Sequence, residues 1–361
     1  MSRTEGEIHA VVLAGGAGTR FWPLSRQAWP KPLLKVGSDR TLLEETLARA
    51  ARYADRTWLI CGKDHAAPMR KAAGLPASQV LVEPQMRNTA AAIAWAAHRI
   101  TRASPDAVMT VLSADHRIPD GRAFASAMKR AARAAAREDV LVTLGVKPTR
   151  PETGYGYIRL GPEVGPEHKG LHRVARFVEK PDRRRARRWL AGGQHLWNAG
   201  IFAWRARVFL DELEATAPAI ARALAPLGTS PLRGPAAARA VERAYRLVPP
   251  EPVDKAVLER SGRVWCLPVG FRWSDVGTWK SLAEEVGVGK NVTKVIDGEA
   301  YLCDSKGNLV RAGDRPVVLL GVSGLAVIDA GDALLVADLE RSSDVRKVAS
   351  LLREAGRSDL L

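Results

Sequence analysis

Up to residue 147 the chain alternates short apolar runs with Ala-rich periodic stretches, and this alternation constrains the fold more than any other feature. IHAVVLA, RTWLICG, QVLVEP, AVMTVLSADH and DVLVTLGVKP read as buried strands. TLLEETLARAARYA, NTAAAIAWAAHRI and GRAFASAMKRAARAAARE read as helices between them. Thr41 and Glu44 have the spacing of a capping box, and Asn88 or Thr89 is expected to cap the second helix. Strands linked through helices require right-handed crossovers, hence an α/β fold with a Rossmann-like, mainly parallel mixed sheet flanked by helices. Ligands of such sheets bind outside the carboxyl ends of the strands, which singles out the loops after Leu13, Glu83 and Ala114.

The middle of the chain is less regular. TGYGYIRL and HRVARFVEKPD read as strands, HLWNAGIFAWRARVFLDEL as a strand entering a helix, and residues 226–240 as a surface loop. After Gly289, short Val/Leu/Ile segments separated by DG, KGN and AGD turns predict a small all-β module closed by a helix. The expected division is a domain over 1–288 and a β-rich C-terminal domain over 289–361. The tail is expected to pack on the first domain or on a second subunit, so a homodimer is one expected arrangement.

No apolar stretch approaches the ~20 residues of a membrane helix, and MSRTEGEIHA holds no secretory core. Three isolated cysteines form neither a zinc spacing nor a disulfide framework, so the expected compartment is the cytoplasm. The net charge of +16 admits nucleic acid, acidic membranes or anionic small substrates. Much of the Arg lies in MKRAARAAARED and DRRRARRWLAGG, which read as solvated helix faces, so no nucleic acid is expected.

VVLAGGAGTRFWPLSRQAWPKPLL, Val11 to Leu34, carries the chemistry. It is neither a dinucleotide fingerprint, because Phe21 stands at the third glycine position, nor a Walker A loop, because no Lys-Ser/Thr follows the glycines. Gly15, Gly16 and Gly18 let backbone N–H groups approach an anion. Arg20 adds a guanidinium fork and Lys31 a mobile point charge on a segment restricted by Pro30 and Pro32. Asp115 ends an apolar strand at the ligand edge, and Asp275 lies in WSDVGTW; two such carboxylates with phosphate oxygens suit a hard divalent cation, Mg²⁺ or another.

The Val11–Leu34 string resembles the signature of sugar-1-phosphate nucleotidylyltransferases, and FWPLSR resembles the mannose-1-phosphate guanylyltransferase branch. EPQMRNTAAAIAWAA, VLSADH, TGYGYI, FVEKPD, WNAGIFAW, VDKAVLE and WSDVGTW keep the match in order along the chain, and GLAVIDAGDALLVAD is similar to the tail of that branch. The resemblance implies a fold of nucleotide-diphospho-sugar transferase type and the short, single-activity form without a fused isomerase. The family commonly has Lys-Gln-Phe where this chain has Lys31-Pro32-Leu33, and often Pro where Ser113 stands.

The implied reaction transfers GMP from GTP to mannose 1-phosphate, with Mg²⁺, giving GDP-mannose and pyrophosphate. Arg20 and Lys31 then stabilise the departing pyrophosphate, and Asp115 and Asp275 hold the metal. Leu13, Ala14, Gly15, Gly16, Gly18, Thr19, Glu83, Asn88, Thr89 and Ala114 are expected around the nucleotide. Gly154, Glu179, Lys180 and Asn198 are carried over for the sugar phosphate; Glu179 and Lys180, adjacent in a strand, are expected to point opposite ways. Spacing alone leaves base and sugar open: glucose 1-phosphate with dTTP is the nearest rival, and a non-catalytic, basic nucleic-acid-binding relative is the rival of another class.

Overall fold

The computed structural model describes residues 6–16, 18–231 and 233–361. Among them the strands β1 (Ile8–Ala14), β2 (Arg56–Gly62), β3 (Val80–Glu83), β4 (Val108–Ser113), β5 (Leu141–Val146), β6 (Tyr157–Glu163), β7 (His172–Val178), β8 (His195–Arg205) and β9 (Val264–Val269) form one sheet. Its order is β3-β2-β1-β4-β8-β5-β9-β7-β6. The β3-β2-β1-β4 half and the β5–β9 pair are parallel; β8 runs antiparallel between β4 and β5, and β6 and β7 are antiparallel. The mixed, mainly parallel sheet is therefore as expected. The strand order reverses at β1, which has β2 on one side and β4 on the other, so the glycine loop after Ala14 leaves from the switch point of the sheet.

The helices follow their local signals. In α1 (Leu42–Ala50) the Thr41 hydroxyl accepts from Glu44 N at 3.2 Å and the Glu44 carboxylate accepts from Thr41 N at 2.7 Å, closing the capping box. The helix Asn88–Ala103 buries an almost continuous Ala face, Ala90 to Ala97, against one side of the sheet, and Gly121–Arg137 covers the other behind an Asp120 cap. Alanine lets these helices lie close to the strands, while the arginines of the second point outward. Residues 226–240 are not one loop: a helix already begins at Gly234 and runs to Leu247, because Pro235 is compatible with its first turn and the alanines behind it propagate it.

Beyond residue 290 the chain coils. Strands β10 (Lys294–Asp297), β12 (Leu309–Arg311) and β14 (Leu325–Asp329) stack in parallel on one wall, with β15 (Leu334–Asp338) antiparallel at its edge; β11 (Ala300–Cys303) and β13 (Val317–Leu320) stack in parallel on another. Leu309, Ala326 and Ile328 point inward and are fully buried. They share a core with Phe21, Trp22, Leu42, Val276 and Trp279 of the first part, which packs the tail onto the loops after β1 and β9.

Trp279 is the centre of this junction: it is fully buried, lies 4.7 Å from the Phe21 ring and donates to Trp22 O at 3.1 Å. Trp279→Ala is expected to lower stability by about 3–5 kcal/mol, read from the urea midpoint at unchanged m-value.

Candidate active site

The glycine loop takes its shape from two constraints. Gly18 has φ 61°, and a Cβ placed on it would overlap the Lys31 Cβ, so glycine is required both by the backbone and by the close approach of the second segment. The Ser25 hydroxyl donates to Gly18 O at 2.5 Å and ties the loop to the turn that carries the serine. Pro30, extended, precedes a single 3₁₀ turn, Lys31–Leu33, with Pro32 inside it. That turn buries Lys31 to 5% exposure beside the Phe21 ring. The ammonium is thus not the mobile charge expected from the sequence; the two prolines and the packing of Gly18 fix it in place.

Lys31 Nζ donates to Asp115 Oδ2 at 2.8 Å and to Asp275 O at 2.5 Å. Asp115 lies just past β4 and Asp275 just past β9, so the three residues meet across the carboxyl edge of the sheet. Burial works most strongly against the Asp115 charge, but the Lys31 ammonium, with the neighbouring His116 and a backbone N–H, together outweigh it and hold the pKa below the usual carboxylate value. The Asp115 side chain keeps 32% of its surface open although protein surrounds it, as a group on the floor of a cleft does. The Asp275 carboxylate accepts from the Tyr155 hydroxyl at 2.6 Å and from Gly277 N at 3.1 Å. His116 Nδ1 accepts from Trp273 Nε1 at 3.2 Å, and burial lowers the pKa of this ring. Among the described residues no three His, Cys, Asp or Glu gather as a metal cluster. Of the four groups expected around the phosphates, the fold joins Lys31, Asp115 and Asp275; Arg20 stands exposed on the turn just after Gly18.

The nucleotide-side expectations fall along the same edge. The Leu13 carbonyl already accepts from Ala114 N at 2.9 Å, so it is engaged in knitting the two strand ends together. Ala14 is buried, Gly16 is open, and Gly15 lies over Met86 and the Glu83 carboxylate. Burial pushes the Glu83 pKa up to about 7 despite the nearby Tyr245 hydroxyl, and among the described residues its Oε1 has no hydrogen-bond partner within 3.5 Å. The Thr19 side chain lies outside the described residues. Neither Asn88 nor Thr89 caps its helix: Arg87 occupies the cap position, Asn88 takes φ 66° as the first helical residue, and its side chain accepts from Thr89 N. The Thr89 hydroxyl instead accepts from Val253 N at 2.9 Å, a partner 164 positions away.

The sugar-side residues form a second cluster. Glu179 and Lys180 do not point opposite ways in a strand. Strand β7 ends at Val178, Lys180 turns into the left-handed region at φ 49°, and its ammonium pairs with Glu179 Oε1 at 2.7 Å. Gly154 donates to its neighbour Glu152, and it is Gly156 that packs against Glu179 and Asn198: a Cβ there would lie 2.7 Å from Glu179 Oε2. Asn198 Nδ2 donates to Asp254 Oδ1 at 2.7 Å. Sequence reasoning alone misses Tyr155, Gly156 and Asp254. The visible signals are an aromatic between glycines in TGYGY and a lone acid entering an apolar stretch in VDKAVLE.

A parallel edge that gathers bare amides, a fixed ammonium and carboxylates is suited to polyphosphate chemistry, so fold and site define a nucleotide-handling α/β protein. The chain belongs to the nucleotidyl transferase family, whose model matches residues 9–287. A model for the mannose-phosphate isomerase/GMP-like β-helix domain matches residues 298–352. The xanthan biosynthesis protein XanB of Xanthomonas campestris is 38% identical over 98% of this chain and 75% of its own length. A mannose-1-phosphate guanylyltransferase of Escherichia coli is 37% identical over 97% of this chain and 74% of its own. The crystal structure of a mannose-1-phosphate geranyltransferase, so named, from Thermus thermophilus superimposes with a TM-score of 0.86 at 35% identity, covering 96% of this chain and 99% of that one. Among the described residues, no helix is long and apolar enough to cross a membrane.

Gly18→Ala would place a methyl group into Lys31 on a left-handed backbone. It is expected to cost about 2 kcal/mol or more in chemical denaturation, with displacement of the Lys31 ammonium visible in a crystal structure of the variant.

Proposed function

We propose that the protein transfers GMP from GTP to α-D-mannose 1-phosphate. The observation that carries the reading is the fixed Lys31 ammonium, bonded to Asp115 and to the Asp275 backbone at the switch-point edge. The family membership and the named relatives support the substrate pair. A phosphate oxygen of the sugar phosphate attacks the α-phosphorus of GTP; an O–P bond forms, the bond to the bridging oxygen of the pyrophosphate breaks, and pyrophosphate leaves in line. No side chain has to act as nucleophile, and a phosphate dianion needs no general base, so the protein's contribution is position and charge.

Each group has a place in that division of labour. The amides around Gly15, Gly16 and Gly18 face the triphosphate, and Arg20, exposed beside them, reaches its outer phosphates. Lys31 offsets the charge that builds on the leaving group. Asp115 and Asp275 supply carboxylate oxygens, the hard donors that Mg²⁺ takes with phosphate oxygens and water, so the pair fits that ion. When bound, Mg²⁺ supplies charge neutralisation and orientation at the α-phosphate. Glu83, buried with one oxygen unpartnered among the described residues, is suited to accept from the N–H groups of a guanine edge. Lys180 meets the phosphate of the sugar, and Glu179 and Asn198 its hydroxyls.

The test is a matrix of four nucleoside triphosphates against several sugar 1-phosphates, with and without magnesium, followed by pyrophosphate release. GTP with mannose 1-phosphate is expected to turn over fastest and to need the metal; faster turnover of dTTP with glucose 1-phosphate would reject the assignment. Lys31→Ala and Asp115→Asn are each expected to lower kcat by about 10²–10³-fold while circular dichroism stays that of the parent.

A further inference from the structure

The Asn198 amide is oriented by its surroundings. Its Oδ1 accepts from the Thr143 hydroxyl at 2.9 Å and from Gly200 N at 3.1 Å, so both lone pairs are in use. The amide nitrogen must then face Asp254, whose Oδ1 it meets at 2.7 Å. Asp254 opens a π-helical turn, Asp254–Leu258, anchored by the buried Ala256, Val257 and Leu258. The same segment is tied on both sides. Before it, Val253 N donates to the Thr89 hydroxyl at 2.9 Å; after it, Glu259 Oε1 accepts from Glu179 N at 2.6 Å. Asp254 therefore stands between the start of the nucleotide-side helix and the strand end that carries Glu179.

This arrangement brings two carboxylates together with little positive charge beside them. Glu179 keeps only 8% of its side chain exposed, and the lysine that pairs with it, Lys180, is 60% exposed. Burial first, and the Glu179 charge second, push the Asp254 pKa up to about 7. The groups facing Asp254 are Glu179 and Lys180 from the end of β7, Asn198 from β8 with Thr143 of β5 behind it, Thr89 from its helix, and Lys255, exposed, and Glu259 on its own segment. Among the described residues the Asn198 amide, the backbone N–H of Asp254 itself and one surface lysine are the donors to these two carboxylates, which leaves acceptor capacity unmet. Yet Asp254 is half-buried rather than sealed, so a ligand with donors can reach it.

We infer that Asp254, which accepts from the fixed Asn198 amide and lies close enough to Glu179 to feel its charge, is a specificity-determining acceptor for ring hydroxyls of the sugar phosphate. The inference rests on the reading of Glu179 and Asn198 as the sugar side of the site. Two carboxylates at a set separation accept from hydroxyls at a set separation. An epimer leaves one of them buried and unpaired, which discriminates more strongly than a change in apolar contact. Ionised Asp254 is the better acceptor, so affinity for the sugar phosphate rises as pH passes through about 7. The sign for stability is opposite. An acid whose pKa is raised by folding costs stability once pH exceeds its unfolded value, so neutralising it does not destabilise the fold at pH 8.

The experiment compares the full-length protein with Asp254→Asn in steady-state kinetics on mannose 1-phosphate, its monodeoxy analogues and glucose 1-phosphate, from pH 6 to 8.5. We expect KM for mannose 1-phosphate to rise about 10- to 100-fold with KM for GTP unchanged, a melting temperature at pH 8 no lower than the parent's, and loss of the pH limb near 7. One deoxy analogue is expected to abolish the difference between parent and variant. A KM within about twofold of the parent overturns the inference, as does an equal loss against every analogue with a lowered melting temperature. If the parent turns over another sugar 1-phosphate instead, the substrate assignment fails, and the same comparison on that sugar still decides Asp254. No turnover of any sugar 1-phosphate overturns both.

Discussion

A lysine ammonium held almost out of water is the constraint around which the site is organised. Lys31 is buried to 5% exposure and bonded to Asp115 and to the backbone of Asp275. An isolated charge at that depth would be strongly unfavourable, so the two aspartate segments are needed to keep it there, and it is needed to keep Asp115 ionised. Gly18 has no side chain because Lys31 occupies the space, and the 3₁₀ turn between the prolines sets the angle at which the lysine enters. Three strand ends far apart in sequence are thereby held to one another before any phosphate arrives. This preorganisation reduces the reorganisation a charged transition state demands.

The C-terminal coil enters the same network from below. Its inward residues share a core with Phe21 and Trp22, next to Arg20, and with Val276 and Trp279, next to Asp275. Trp22 Nε1 donates to Leu360 O at 2.8 Å, and Lys280 N donates to Ser342 Oγ at 3.1 Å. The loops that carry the charged groups therefore rest on the tail rather than on solvent. A loop packed on both sides loses fewer conformations on binding a ligand.

The cluster around Glu179, Asn198 and Asp254 is built on a different principle. There a pair of carboxylates is left short of donors, with one amide, Asn198, fixed between its neighbours. One cluster gathers cations and amides, chemistry suited to an anion; the other gathers acceptors, chemistry suited to hydroxyls. The segment from Glu251 to Glu259 connects them, bonding to the Thr89 helix at one end and to Glu179 at the other.

Much of this was written locally. The alternation of apolar and Ala-rich segments determined the α/β sheet, because strand and helix periods are properties of short windows. The Thr41–Glu44 box formed because both partners lie within one turn. Gly18, Lys31, Asp115 and Asp275 stood out as residue types suited to phosphate and metal. The tertiary structure decided what depends on partners distant in sequence. Lys31 became rigid because Gly18 and Asp115 close on it; Lys180 folded back onto Glu179 because the strand stopped at Val178, before both residues its pattern had included. Thr89 turned from cap to acceptor for Val253, and Asp254, a lone acid in an apolar string, acquired its place from Asn198 and Glu179, whose approach no spacing along the chain encodes.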